Sequence, residues 1–337
     1  MKKYSIKDIA EILGVSKTLV SLVLNNKGDQ YGINKETQKK VFETAKRLKY
    51  RPNKLAQGLR LGKTKSIGLV VPDISNPFYS KIAKHIENIV SKDGYSLIIC
   101  DTDEDEKKES KIIDTLIERN VDGLIIASTL LNALEIQKIK EQSLPFVFID
   151  RYLDEIECNY VGVDNYQGTY DAIEHLIKEN FKKIAYFSIT PEHISTLAER
   201  KRGYLDAIKK YNLSIDNELI KTLPYNNLAT SVKKELKKLF DLESKPDSLF
   251  LANYKLALEV LKAIKYNRIN LPDKFKIFVF DDNPLFDIVN YPVSSIAQPV
   301  EEICDNAFKI LKKEINHKGE EELQTVHLEL PTTIILR

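Results

Sequence analysis

The chain has few cysteines, no long apolar run and none of the short motifs that mark the common catalytic centres. Cys100, Cys158 and Cys304 stand far apart and lack the Cys-x-x-Cys or Cys/His spacing of a zinc site or a redox dithiol, so reduced structural thiols are expected. No apolar stretch approaches the ~18–20 residues that a membrane helix needs. Met1-Lys2-Lys3-Tyr4-Ser5 leads directly into a polar amphipathic pattern with no signal-peptide core, so a cytoplasmic protein is expected. Gly-x-Gly-x-x-Gly, the Walker A loop, His-Glu-x-x-His and Gly-x-Ser-x-Gly are all missing, and His85, His175, His193, His317 and His327 show no ligand spacing. Neither catalysis, a metal nor a cofactor is expected.

What is present is uneven in charge. At 337 residues the chain exceeds one ordinary core, which predicts a small domain beside a large one. The net charge of +2 conceals an asymmetry: residues 1–65 hold 16 Lys/Arg against 5 Asp/Glu, and the remainder 35 against 44. A basic segment on an acidic body is the footprint of a polyanion bound at one end.

That basic segment has a helical pattern. Ser5 reads as an N-cap with Asp8 at the third helical position, and Ile9, Ala10, Ile12 and Leu13 supply an apolar face ending at Gly14. Ser16 then caps a second helix to about Asn25, which is the spacing of a helix-turn-helix. At about 100° per residue, Leu19, Val20, Val23 and Leu24 gather on one side and Lys17, Thr18, Ser21, Leu22 and Asn25 on the other. If the second side enters a major groove, Lys17 and Thr18 meet base edges and Leu22 packs on a thymine methyl. A third helix is predicted from the cap Asn34, burying Val41, Phe42, Ala45 and Leu48, with Lys39, Lys40, Lys46, Arg47 and Lys49 left for phosphates or solvent.

Residues 51–65 read as a hinge. Pro52 can open a short helix, but Gly58 weakens it by roughly 1 kcal/mol relative to alanine, so order is expected only on DNA. Leu55 and Leu59, one turn apart on a basic background, suit wedges in a minor groove.

Beyond the hinge, apolar runs at 67–71, 96–100, 123–127 and 146–149 alternate with helical segments. After 160–163 a second series follows at 183–187, 219–223, 248–252 and 277–280. This is the pattern of parallel sheets with crossover helices, and it predicts two doubly wound lobes with a ligand cleft at the carboxyl ends of the strands. The predicted fold is α/β: a three-helix helix-turn-helix headpiece (1–50), the hinge (51–65) and a two-lobed body (66–337).

Several motifs together resemble one known family. Ile6-Lys7-Asp8-Ile9-Ala10, Gly14-Val15-Ser16, Val20-Ser21, Leu24-Asn25 and Tyr50-Arg51-Pro52-Asn53 are similar to the LacI-family headpiece. The run from Ile67 to Phe78, Val121-Asp122-Gly123-Leu124-Ile125, Phe280-Asp281-Asp282 and Leu330-Pro331 look like that family's regulatory domain, whose fold is that of periplasmic binding proteins. The resemblance implies a homodimeric transcriptional regulator, a repressor by family habit, on a pseudo-palindromic double-stranded operator. Its affinity would be set by a small effector, a sugar or sugar acid first and a purine second, acting as inducer more often than co-repressor. The implied DNA-contacting set is Ser5, Ser16, Lys17, Thr18, Ser21, Leu22, Asn25, Tyr50, Asn53, Ala56, Gln57, Leu59 and Arg60, with Leu59 as the hinge wedge and Ala56 beside it.

For the effector, Arg200 in Arg200-Lys201-Arg202-Gly203 resembles the family's gripping arginine, and Asp281 its ligand-binding aspartate. Phe78, Tyr225 and Asn253 follow predicted strands and join them as candidates. An arginine donor, a carboxylate acceptor and aromatic planes are what a buried polyhydroxylated ligand requires. The resemblance also implies lobe crossings near residues 163, 292 and 325, and a dimer interface on the helix from Tyr79 to Val90. No leucine heptad follows the last strand, so no tail-built tetramer is expected. The chain departs from the family at Leu19 and Leu22, where threonine and arginine are common, in a longer loop from Asn26 to Ile33, and at Tyr254, where an aspartate is usual. The rival readings are an enzyme and a transport-type solute-binding protein, the latter opposed by the basic headpiece.

Overall fold

The computed structural model describes residues 4–50, 63–129, 134–153, 156–267, 269, 271–272, 274–317, 319 and 323–337, the side chains of 134 and 135 excepted. It divides into two compact units, Met1–Thr64 and Lys65–Arg337. Five of the DNA-contacting candidates, Asn53, Ala56, Gln57, Leu59 and Arg60, lie outside the described residues.

In the first unit the helices are α1 (Ile6–Leu13), α2 (Lys17–Leu24) and α3 (Lys35–Arg47). Each begins at a side-chain cap, which satisfies an amide that the helix cannot. Ser5 and Asp8 form a reciprocal capping box, Ser16 accepts from the Leu19 amide at 3.1 Å and Asn34 from that of Thr37 at 2.7 Å. Gly14 closes α1 with φ of +64°, a conformation that glycine adopts without steric cost. Ile9, Ala10, Val20, Val23, Val41 and Ala45 make the small core, with Leu19, Leu24 and Leu48 packed at its margin. Two expected core residues fall outside it: Ile12 is 50% and Phe42 42% exposed. Phe42 is one helical step, about 100°, from Val41, and the neighbouring helices cover only the Val41–Ala45 stripe. The long loop after α2 is tied down by Gln38, which donates to the Ile33 carbonyl at 2.7 Å and to Asp29 at 2.9 Å.

The second unit contains two six-stranded sheets. The first, in the order β11-β5-β4-β3-β1-β2, comprises β1 (Ser66–Val71), β2 (Ser96–Asp101), β3 (Gly123–Ile126), β4 (Phe146–Ile149), β5 (Tyr160–Val163) and β11 (His327–Leu330), and all its pairings are parallel. The second, β12-β10-β9-β8-β6-β7, comprises β6 (Ile184–Ile189), β7 (Ile220–Leu223), β8 (Ser248–Leu251), β9 (Lys276–Phe280), β10 (Val293–Ala297) and β12 (Thr333–Ile335). Only the β10–β12 pair is antiparallel. Fully buried runs such as β4, apolar throughout, and β8, apolar after Ser248, are what a parallel sheet covered on both faces demands.

Helices α4 (Pro77–Lys92), α5 (Glu106–Glu118), α6 (Leu134–Glu141) and α11 (Val300–Asn316) serve the first sheet. Helices α7 (Asn165–Lys178), α8 (Ser195–Lys210), α9 (Leu228–Asp241) and α10 (Tyr254–Tyr266) serve the second. The chain passes between lobes after β5, between β10 and α11, and between β11 and β12. The last two crossings come later than the expected 292 and 325: β10 stays in the second sheet beside β9, and β11 belongs to the first beside β5. Ser294 and Ser295 interrupt the apolar pattern of β10, β11 alternates over only four residues, and β12 is three residues without alternation, so none of the three stands out in the sequence.

The three cysteines are free thiols, and burial pushes Cys158 up to about 11 and Cys304 up to about 12. Among the described residues no cluster is arranged to hold a metal ion, and no helix is long and apolar enough to cross a membrane.

Candidate functional site

Two surfaces carry the candidate residues. On the headpiece, Ser16, Lys17, Thr18 and Asn25 are exposed, and Ser21 and Leu22 are half-buried along α2. Several of these side chains are already engaged. Ser5 and Ser16 serve as caps, and the Asn25 amide donates to the Ser21 carbonyl at 2.7 Å. Tyr50 is half-buried against the headpiece core, which raises its phenol above the ordinary value. Lys39 and Lys40 pair along α3 with Glu43 and Glu36, exposed pairs that leave both cations at the surface.

In the second unit a cleft of about 490 Å³, open to solvent at its mouth, lies between the two lobes, at the carboxyl ends of the parallel strands. All five effector candidates, Phe78, Arg200, Tyr225, Asn253 and Asp281, line it. Phe78 enters at the start of α4, whose cap Asn76 accepts from its amide at 3.0 Å. Arg200 is 4% exposed on α8; its Nε donates to Asn165 at 2.8 Å, its Nη1 to the Ala252 carbonyl at 2.7 Å, and its guanidinium lies 3.6 Å from the Phe280 ring centroid. This clamp orients a cation that burial would otherwise penalise. Asn253 spends its oxygen as the cap of α10, accepting from the Leu256 amide at 2.9 Å, which leaves the Nδ2 group for the cleft. Asp281 ends β9 at φ of +85°, a left-handed turn that costs a non-glycine residue about 1–2 kcal/mol. Its carboxylate accepts from Gln298 at 2.6 Å and from the Tyr254 amide at 3.3 Å. The backbone of Tyr254 thus provides a hydrogen bond, while its ring faces Phe286.

The walls hold further groups that were not singled out in the sequence. Asp150, just past β4 and also left-handed at φ of +61°, accepts from the Tyr79 hydroxyl at 2.6 Å. Burial raises its carboxyl above the ordinary aspartate range despite the attraction of Arg151 and Arg200. Arg151 holds Glu104 through both terminal nitrogens at 2.7 Å. The lobes are bridged directly: Asp73, after β1, accepts from Tyr225 Oη at 2.8 Å and Lys255 Nζ at 2.9 Å, both from the second lobe. Burial opposes ionisation of Asp73, but hydrogen bonds from Ser75, Lys255 and Tyr225 prevail and hold its carboxyl below the ordinary value. Asp150-Arg151 carried a readable signal, a charged pair directly after an apolar strand. Glu104 lay in an undistinguished acidic run, Lys255 in an ordinary helix, and Gln298 after a strand that the pattern did not reveal.

Two family models match the chain: "Bacterial regulatory proteins, lacI family" over residues 5–53, and "Periplasmic binding proteins and sugar binding domain of LacI family" over residues 64–273. The chain belongs to the LacI family. Catabolite control protein A of Priestia megaterium is 30% identical over 333 residues, covering 99% of this chain and 98% of that one. The regulator DegA of Bacillus subtilis (strain 168) is 34% identical over 308 residues, 89% of this chain and 88% of the relative. The solved structure of the Lac repressor dimer bound to operator and the anti-inducer ONPF superposes with a TM-score of 0.83, covering 99% of this chain and 98% of that one. At 20% identity that likeness is one of fold. This LacI-family chain is therefore a transcriptional regulator with a helix-turn-helix DNA-binding region and an effector-binding domain of the periplasmic-binding type.

Proposed function

We propose that the protein is a cytoplasmic repressor that binds a pseudo-palindromic operator as a homodimer and changes its DNA affinity when a carbohydrate-derived effector occupies the cleft. The observation that carries this reading is the polar bridge of Asp73, Tyr225 and Lys255, because it joins the two walls of one cleft. A ligand seated among Arg200, Asp281, Asn253, Tyr225 and Phe78 contacts both lobes. It therefore has a different affinity for each lobe arrangement, and only such a difference can shift an equilibrium. The hinge, 51–65, is the segment through which lobe angle would alter operator affinity, with Leu59 as its wedge and Ala56, Gln57 and Arg60 alongside. The exposed start of α2, Lys17 and Thr18, reads base edges, and two headpieces on a two-fold site multiply affinity through effective concentration. Helix α4 supplies the dimer contact. The cleft binds and does not catalyse: Glu104 and Asp73 are held by cations rather than poised against a nucleophile.

The test is selection of duplex DNA from a random pool by the full-length protein, followed by titration of the enriched sequence against salt and sugars. A sequence preference with affinity falling steeply as salt rises is expected, together with a shift in affinity on adding the effector. Absence of any salt-sensitive duplex preference, with and without small molecules, refutes the proposal.

A further inference from the structure

The charges on the cleft walls bear on which polyhydroxylated molecules can enter, an inference that rests on the cleft being the effector site. Four carboxylates, those of Asp73, Glu104, Asp150 and Asp281, face three cations, Arg151, Arg200 and Lys255. Two of the cations are consumed. Arg151 and Glu104 clasp each other with both side chains only 10% exposed, and Lys255 serves Asp73 across the lobes. Arg151 also lies 3.7 Å from Asp150, and Arg200 remains against Asp150 and Asp281, so the four carboxylates exceed the three cations by one charge. The next cation, Lys81, lines an adjoining hollow instead.

The hydrogen-bonding groups that remain point the same way. Arg200 has committed Nε and Nη1, and its Nη2 has no protein acceptor among the described residues. Asp150 takes Tyr79 on Oδ2, and its Oδ1 has no protein donor among them. Gln298 Oε1 is buried without a donor. Arg200 Nη2 is thus the uncommitted cationic donor facing two open acceptors; Asn253 Nδ2 adds a neutral donor, and Arg151 Nε, also without a hydrogen-bond partner, lies 3.7 Å from Asp150. A hydroxyl can accept from these donors and donate to the acceptors, and an ammonium group can donate to either acceptor. A carboxylate or phosphate finds its uncommitted cation in Arg200, with the neutral Asn253 amide as a further donor, and must bind beside Asp150 and Asp281. To gain a second cation it would have to break the Arg151–Glu104 or Lys255–Asp73 pair, stranding a carboxylate in a poorly solvated wall.

We propose that the effector is an uncharged or amine-bearing polyhydroxylated molecule, and that the cleft rejects the carboxylate and phosphate counterparts of the same skeleton. This narrows the expectation of a sugar or sugar acid to the first of the two.

The experiment is calorimetric titration of the full-length protein with matched sets: D-glucose, D-glucosamine, D-glucuronate and glucose 6-phosphate, then D-galactose, D-galactosamine and D-galacturonate. The expected result is binding of a neutral or amino member with its anionic counterparts weaker by at least about tenfold. In Asp150→Asn, which removes the excess charge and keeps an acceptor for Tyr79, that ratio should shrink by about tenfold. An anionic member that binds more tightly than its neutral parent overturns the proposal and leaves the effector-site reading standing. Failure of every member to bind a protein that still binds its operator overturns both. The wild-type series decides the matter even if Asp150→Asn does not fold.

Discussion

Tyr225→Phe removes one oxygen from the bridge between the lobes and nothing from the core. The phenol donates to Asp73 at 2.8 Å, and Lys255, which serves the same carboxylate oxygen, lies 3.8 Å from the Tyr225 ring centroid. A hydrogen bond to a charged group contributes about 1.5–3 kcal/mol. Here Lys255 and Ser75 still satisfy Asp73 after the change and the site is only half-buried, so about 1–2 kcal/mol is expected. For a unit of this size that corresponds to a fall in melting temperature of roughly 2–8 °C. The assay is thermal and urea unfolding of the wild type, Tyr225→Phe, Asp73→Asn and the double variant, with a coupling of about 1 kcal/mol expected from the cycle. The pH dependence follows from the depressed Asp73 carboxyl. Its stabilisation is complete at neutral pH, above the range in which an unfolded aspartate titrates, and is lost as the pH falls through the lower folded-state value. The coupling should therefore shrink in acid. Single-variant effects that add to within about 0.5 kcal/mol at neutral pH would show that the bridge is not an energetic unit.

Further predictions concern packing and the headpiece. A methyl at Gly203 would stand 2.4 Å from the Tyr166 carbonyl oxygen, so Gly203→Ala must push α7 and α8 apart and should cost about 1–3 kcal/mol, read as a lower urea midpoint. Ser16→Ala removes the α2 cap and should destabilise the headpiece by about 1 kcal/mol, whereas Ser16→Asn keeps a capping oxygen; equal operator affinity and equal headpiece melting in the two variants would contradict the capping role. Lys17→Ala should weaken operator binding by about 1–3 kcal/mol and relax preference at one base position; a uniform loss across sequences, with the salt slope reduced by about one, would reassign Lys17 to a phosphate. Leu59→Ala should weaken operator binding while effector binding persists, and unchanged operator affinity would remove the wedge from the hinge.

The sequence by itself determined whatever depends on neighbours along the chain. The caps at Ser5, Ser16 and Asn34 act over three residues, and the charge asymmetry is a matter of composition; β1 through β9 announce themselves as apolar runs between amphipathic segments, and Arg200 and Asp281 could be named because each stands in a local motif. Tertiary structure alone decided what required distant segments to meet. Phe42 lies outside the core because only one stripe of α3 is covered, and β10 to β12 are strands because of the edges they pair with. The charge balance of the cleft belongs to the same class: Asp73 and Lys255 are 182 residues apart, Glu104 and Arg151 47 apart. Nothing in the composition of either segment specifies its partner, because an ion pair is selected by position in space, and that position is set by strand order.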